Sequence, residues 1–397
     1  MTVSTNSIDQ PAVDTPTVNR RAIVIGGSLA GLFSGVLLRS IGWQVDIYER
    51  SAHELDSRGG GVVLQADVVT AFKRAGIATA ALGVDAFERY YLQKDGRIDR
   101  MPMRQTLTSW NILYRTMRRH FPDEHYHQGK VLTEVRPGNG TVTAVFADGS
   151  DETGDLLIGA DGPTSTVRQQ LLPAYAPQYA GYVGYRGLVD EADLEPEAAE
   201  IFTERFVFYD FPNSHILQYV IPGENESLVP GERRFNWVWY VNYDEQTELP
   251  RLLTDKGERQ RTYSVPPGMM SAAAEQEMRD YADQVLIAPF QKLVAATKEP
   301  FVQSILDLGV PQMAFDRVAL IGDAAFIPRP HTAASTAKAA ANAIALVEAL
   351  VDHSHNVPQA LADWESDQLA LGMNLWQHGR SLGERSQFMC GKGRSRG

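Results

Sequence analysis

The sequence predicts an α/β fold: a doubly wound part, interrupted by a mostly antiparallel β-sheet and closed by C-terminal helices. Two observations predict it. Residues 21–38, 155–168 and 318–350 each read as a buried strand, a glycine-bearing turn and a helix. Strands alternating with helices build a parallel sheet covered on both faces. Between the second and third stretches, runs rich in Tyr, Phe, Trp and Val recur over residues 179–243, divided by Pro, Gly and Asn. Short strands broken by turn residues are the pattern of an antiparallel sheet.

The first stretch is Arg21-Ala-Ile-Val-Ile-Gly26-Gly27-Ser28-Leu-Ala-Gly31-Leu. A β-branched run enters a glycine turn and continues as an apolar helix through Leu38. Such a turn presents unpaired backbone N–H groups and the positive end of a helix to a diphosphate. The next apolar run, Gln44 to Tyr48, ends in Glu49, where a carboxylate reaches a ribose hydroxyl. The N-terminal part is therefore expected to be Rossmann-like and to bind an adenine dinucleotide. Ser28 departs from the usual G-x-G-x-x-G order. It is small enough for close approach, and its hydroxyl can itself bond a phosphate oxygen.

The remaining elements follow in order. Arg58-Gly-Gly-Gly-Val-Val-Leu-Gln65 is a flexible turn into a strand, and a helix is expected over 68–75. Asp95-Gly96 and Asp148-Gly149 each stand between apolar runs, as hairpin turns do. Asp155 to Ala160 is a buried strand ending at Asp161-Gly162. Residues 250–271 read as a loop around Pro266-Pro267-Gly268, and 272–290 as one helix. Val318 to Ile321 is a strand, and an alanine-rich helix runs through Leu350.

The chain has 397 residues and a net charge of −12. That length allows two or three domains, and that charge argues against a nucleic-acid surface or an anionic membrane patch. The single cysteine, Cys390, leaves no disulfide framework or cysteine metal site within one chain and fits a reducing cytoplasm. The uncharged run Ala22 to Leu38 is short for a membrane span, and its four glycines and two serines fit the turn better. Residues 1–19 read as a disordered tail rather than a signal peptide, and 386–397 as a frayed end. The nine histidines show no paired ligand spacing. His125 and His127 lack acidic or cysteine neighbours at metal-site spacing, so no metal is expected.

Three motifs stand in order along the chain. The first is Gly26-Gly27-Ser28 with Glu49 and Arg50. The second is Ile158-Gly-Ala-Asp161-Gly162-Pro-Thr-Ser-Thr-Val-Arg168. The third is Ile321-Gly322-Asp323-Ala-Ala-Phe-Ile-Pro328-Arg-Pro330-His331. Together, from residue 20 to about 380, they resemble the single-component FAD-dependent aromatic hydroxylases, the para-hydroxybenzoate hydroxylase-like group. Shorter patterns resemble the branch of the 2,6-dihydroxypyridine 3-hydroxylases: Tyr179-Ala-Gly-Tyr-Val-Gly-Tyr-Arg186-Gly, His215 through Tyr219, and Pro328-Arg-Pro-His331.

The resemblance implies non-covalent FAD, with NADH or NADPH as a transient co-substrate. It implies hydroxylation of a small hydroxylated aromatic or pyridine-type ring with O2, through a flavin C4a-hydroperoxide. It places the FAD pyrophosphate on Gly26, Gly27, Ser28 and Gly31, and the adenosine ribose on Glu49 with Arg50 beside it. Asp161 and Gly162 would support FAD and the approaching nicotinamide. Gly322 and Asp323 would hold the ribityl or pyrophosphate portion. Pro330, Thr332, Ala333 and Ala334 would lie beside the isoalloxazine, with the next helix N-terminus aimed at its pyrimidine edge, where it stabilises an anion. Members usually carry glycines where this chain has Thr332-Ala-Ala-Ser335, and an arginine near Tyr114, where this chain offers Arg115 and Arg118. The resemblance further implies a discontinuous FAD-binding domain of 20–76, 106–174 and 286–385. Residues 77–105 and 175–285 would form the substrate domain. The expected partners are the ring substrate and O2, with a homodimer left open and no nucleic acid or membrane.

A ring hydroxylase must exclude water, hold the ring and share or remove the proton of a ring hydroxyl. His215 is the first candidate for that base. It shares a strand face with Leu217 and Tyr219 and titrates near neutral pH. The alternative is a hydrogen-bonded histidine that only shapes the sheet. Tyr219 and Tyr185 are lesser candidates. Arg186 pairs with either an anionic substrate or a glutamate. Trp237-Val-Trp239 reads as a packed strand. Two further readings stay open here: an NAD-linked dehydrogenase, and an FAD-binding protein without turnover.

Overall fold

The computed structural model describes residues 19–55, 60–80 and 82–389. The expectations for 1–18, for Arg58 and Gly59, and for 390–397 lie outside them. Strand Arg21–Ile25 sits centrally, parallel to Gln44–Glu49 on one side and Leu156–Gly159 on the other. Val318–Leu320 and Tyr126–Gln128 extend the parallel order outward, and Ala314–Phe315 alone runs antiparallel at one edge. Helices Leu29–Ser40 and Ser335–Asp352 and a three-stranded sheet over 132–154 cover it. Ala22, Ile23, Val24, Leu156, Leu157 and Ile158 are accordingly fully buried, as strands of a covered parallel sheet must be.

The first turn closes tightly. Gly26 has φ +105° and donates its N–H to the Tyr48 carbonyl at 2.9 Å. A Cβ on Gly31 would lie 1.9 Å from the Gly26 carbonyl oxygen. Only glycine lets the helix seat on this turn.

The second sheet is ten-stranded and mostly antiparallel. Its central strands are Gln178–Asp190, Arg234–Asn242, Ser214–Ile221 and Arg205–Phe211, paired antiparallel in that order. Side chains alternate between its faces. Val183, Tyr185, Ile216, Val220, Trp237 and Trp239 pack under helices Ala272–Val285 and Ala288–Ala296. The opposite face carries Tyr182, Arg186, His215, Tyr219, Asn236 and Tyr240. It meets the turn around His331 and the strand Gly61–Val63.

Several expectations need correction. The helix expected over 272–290 is two helices: Leu286 and Ile287 are extended, and Pro289, which has no N–H to continue the first helix, stands in the first turn of the second. The loop 250–271 contains the end of a short helix, Leu249–Leu252, and a strand, Ser264–Val265, on the sheet edge. Strands Gly61–Val63 and Phe301–Gly309 belong to the large sheet, and Ile98–Ser109 crosses the boundary expected at 105. Strand pairing, not closeness in sequence, decides membership. The frayed end expected from residue 386 is instead helical to Gln387, which is fully buried. Asn242 Nδ2 donates to the Gln387 carbonyl, and Phe388 lies edge-on to Tyr182. Among the described residues no helix is long and apolar enough to cross a membrane.

Candidate active site

The three motifs converge on one cavity of about 470 Å³. Gly26, Ser28, Glu49 and Arg50 line one side, Asp161 and Gly162 another, and Gly322, Asp323 and Ser335 a third. Strands Gln44–Glu49, Arg21–Ile25, Leu156–Gly159 and Val318–Leu320 lie side by side, so their following turns open at the same sheet edge. A wider depression of about 680 Å³ beside Arg20, Arg317 and His353 touches none of the motifs.

Each motif residue has a definite setting. Glu49 Oε2 accepts from the Gly27 N–H at 2.8 Å and Oε1 from Ser51 N–H at 2.8 Å. That fixes the carboxylate at the mouth of the turn. Ser28 is the N-cap residue of helix Leu29–Ser40, yet its hydroxyl makes no capping bond and no acid stands in the first turn. The helix end is therefore open to an anion. Arg50 reaches across to Thr164 Oγ1 at 2.8 Å.

Asp161 is turned toward helix Thr166–Leu171. Its carboxylate accepts from Ser165 Oγ at 2.5 Å and Thr166 N–H at 2.7 Å. Burial raises its pKa despite these bonds. It borders the cavity, but its hydrogen bonds hold the second turn in shape. Fully buried Arg168 then ties this turn to the third, donating to the Pro163 and Ala324 carbonyls.

Asp323 lies in the third turn. Its Oδ1 accepts from Ser335 Oγ at 2.7 Å and from the Lys338 ammonium at 3.0 Å. Lys338 is buried and also donates to the Phe326 carbonyl. Burial lowers its pKa, and Asp323 works against that shift. Sequence reasoning missed Lys338: within an alanine-rich helix it reads as a solvated side chain. Ala333 takes the left-handed conformation, φ 52°.

The sheet face above holds a second cluster. His215, Tyr240 and His331 lie tilted against one another, with ring centroids 4.7, 4.5 and 5.1 Å apart. His331 Nε2 meets the Tyr182 hydroxyl at 2.8 Å, and His215 Nδ1 meets Ser386 Oγ at 2.7 Å. Burial, then the neighbouring His215 and Arg329, pushes the His331 pKa well down, so its imidazole is neutral at physiological pH. Tyr219 stands on the same face, about 13 Å further along the strand, against Phe206 and away from the imidazoles. The sequence places His331 within the segment 330–334 expected beside the isoalloxazine, but shows nothing of its contacts with Tyr182 and Tyr240.

Other candidates fall elsewhere. Tyr185 points into the helix-covered core and bonds Tyr243. Trp237 and Trp239 are on that same inner face, each indole N–H satisfied. Arg118 bonds the Phe121 carbonyl and pairs with Asp123, and Arg115 lies 3.7 Å from Glu226. Neither arginine borders the cavity. His125 and His127 do have an acidic partner, contrary to their spacing: Asp46 Oδ1 lies within 3.1 Å of both. Arg21 takes the other oxygen, and no metal-binding group of three exists among the described residues.

Comparison with known proteins places this arrangement. The chain is 34% identical to the 2,6-dihydroxypyridine 3-monooxygenase of Paenarthrobacter nicotinovorans over 90% of this chain and 89% of that protein. The chain belongs to the FAD-dependent aromatic-ring hydroxylases. The solved 2,6-dihydroxypyridine-3-hydroxylase from Arthrobacter nicotinovorans superposes with TM-score 0.89 at 31% identity, covering 96% of this chain and 95% of that one. The 6-hydroxynicotinate 3-monooxygenase of Pseudomonas fluorescens is 26% identical over 88% of this chain and 87% of that protein. A family model described as FAD binding domain-like matches residues 179–307.

As a family hydroxylase, the chain is an FAD-dependent monooxygenase that takes electrons from NADH or NADPH. The dehydrogenase alternative left open by the sequence falls with that membership. The cavity fits the cofactor on its own evidence: an uncapped helix end without acids, a turn whose Cβ positions are closed to side chains, and a fixed carboxylate beside it.

Proposed function

We propose that this chain hydroxylates a small hydroxypyridine ring. The observation that carries the proposal is the His215–Tyr240–His331 cluster on the sheet face, in which His215 and Tyr240 are buried and His331 is half-buried. His331 belongs to the turn leading into Ser335 and Thr336, which border the cofactor cavity. Likeness to the two pyridine monooxygenases over most of both chains supports it.

In this reading Gly26, Gly27, Ser28 and Gly31 receive the FAD pyrophosphate, and Glu49 with Arg50 the adenosine end. Gly322 and Asp323 hold the middle of the cofactor. Pro330, Thr332, Ala333 and Ala334 line its ring end, and Asp161-Gly162 shapes the wall between. Helix Ser335–Asp352 has no side-chain cap and no acid in its first turn, so its N-terminus stabilises negative charge there. When bound and reduced, FAD supplies the oxygen-activating chemistry. The protein's own part is to orient the ring, exclude water and move a proton. His215 accepts the proton of a ring hydroxyl, which raises the ring's electron density. Neutral His331, anchored by Tyr182, holds the ring hydroxyl and keeps His215 free of a competing positive charge. Tyr219 contacts the far side of the ring.

The test is NADH and NADPH consumption by FAD-loaded protein, offered 2,6-dihydroxypyridine, 6-hydroxynicotinate and 3-hydroxybenzoate with product analysis. Coupled turnover on a pyridine supports the proposal. Coupled turnover on the benzoate alone overturns it.

A further inference from the structure

Beyond the imidazoles, the same sheet face has a cationic end. Arg186 and Val238 are register partners, as are Leu188 and Asn236, and Asn236 and Tyr219. This brings Arg186, Asn236 and Tyr219 onto adjacent positions of one face. Asn236 is fully buried. Its Oδ1 accepts from the Gly61 N–H at 2.8 Å, which fixes the amide orientation and points Nδ2 away. That Nδ2 makes no full hydrogen bond, although the Tyr219 hydroxyl feels it, and the buried Nε of Arg186 makes none. A Cβ on Gly60 would lie 3.0 Å from Asn236 Oδ1 and 3.1 Å from Arg186 Nη1, so both side chains converge beside the Gly60 backbone. Among the described residues no carboxylate pairs with Arg186, which removes the glutamate the sequence left open. Its charge is felt locally: burial raises the Tyr219 hydroxyl and pushes Tyr240 up to about 12, and Arg186 opposes both.

Buried donors without acceptors are rare and call for an explanation. A guanidinium beside a free amide N–H is complementary to an anionic oxygen. We infer that Arg186 and Asn236 form an anion subsite that binds a negatively charged oxygen of the ring substrate, opposite the imidazole end. The inference rests on the substrate reading above. The oxygen belongs either to a ring oxyanion or to a carboxylate, and the chemistry of recognition is shared.

The experiment follows the flavin absorbance of FAD-loaded protein on titration with four probes. These are 2,6-dihydroxypyridine for the ring oxyanion, 6-hydroxynicotinate and benzoate for the carboxylate, and 2-methoxypyridine as a neutral ring. Arg186→Gln should weaken at least one class of anionic probe about tenfold or more, with the neutral ring unchanged. Arg186→Lys should fall between, since it keeps the charge and loses the fork. Matched circular dichroism and FAD content show that the fold is intact. The class that loses affinity names the oxygen. Unchanged binding of every anionic probe, or equal loss for neutral and anionic rings, overturns the inference. Parent protein that binds benzoate through Arg186 but neither pyridine keeps the subsite and loses the pyridine reading. Parent protein that binds none of the probes loses both.

Discussion

Asp323→Ala should do more than release FAD: it should strand Lys338. In the parent that lysine is 2% exposed, 3.0 Å from Asp323 Oδ1, with the Phe326 carbonyl as its other acceptor. Removing one partner of a buried ion pair costs about 3–5 kcal/mol, because the remaining charge is uncompensated. The Asp323 side chain is 37% exposed, so solvent screens part of the attraction and the lower end, about 3 kcal/mol, is expected. Lys338→Met removes the buried charge and leaves a carboxylate that water reaches, at a cost of about 1 kcal/mol. The double variant should be no less stable than Lys338→Met, which makes the coupling in the cycle about 3 kcal/mol or more. Urea unfolding of the FAD-free proteins measures this without the stabilisation that ligand adds. The sign with pH is also fixed. Burial depresses the Lys338 pKa in the folded state, so the unfolded chain binds the extra proton and stability rises with pH. Without Asp323 the depression deepens, so the Asp323→Ala deficit should shrink as pH rises toward about 10. A parental unfolding midpoint for Asp323→Ala, or a deficit that does not change with pH, would refute the reasoning.

Three further outcomes are expected. Gly31→Ala should lose FAD retention, because its Cβ would meet the Gly26 carbonyl at 1.9 Å; FAD content of the purified variant checks this, and parental content contradicts it. Ala333→Gly relieves a left-handed alanine and should stabilise the fold by about 1 kcal/mol, read as a higher unfolding midpoint; an unchanged or lower midpoint counts against strain there. His331→Phe keeps the ring packing against Tyr240 but cannot hold a hydroxyl, so hydroxylation should slow by about 10²–10⁴-fold while FAD binding persists and hydrogen peroxide rises; parental single-turnover rates return the imidazole to a packing role.

Much of the cofactor half is legible in the sequence because its signals are local. A glycine turn after a β-branched run, an acid ending the next strand and a Gly-Asp at a later strand end each need only a few neighbouring residues. What escapes is what distant segments decide. Lys338 looks solvated until the Phe326 carbonyl and Asp323 are folded over it. His331 gains a role only when Tyr182, 149 positions away in the chain, and Tyr240 pack around it. Asp161 reads as a contact of the cofactor and does border the cavity, but its bonds to Ser165 and Thr166, which tie it to the helix that follows, are not legible in the motif. The alternation of the 214–221 strand does place His215 on the outer face, yet only the end of helix Val357–Gln387 supplies its Ser386 partner. His125 and His127 show the converse, since their acid lies at Asp46 on another strand.

The central claim is that this chain is a ring monooxygenase acting through FAD. Purified FAD-loaded protein, given NADH or NADPH, 2,6-dihydroxypyridine and isotopically labelled dioxygen, tests it by mass spectrometry of the product. One labelled oxygen atom should enter each product ring, with one reductant consumed per hydroxylation. Reductant oxidised with all the oxygen recovered as peroxide, or a product oxygen drawn from water, would contradict it.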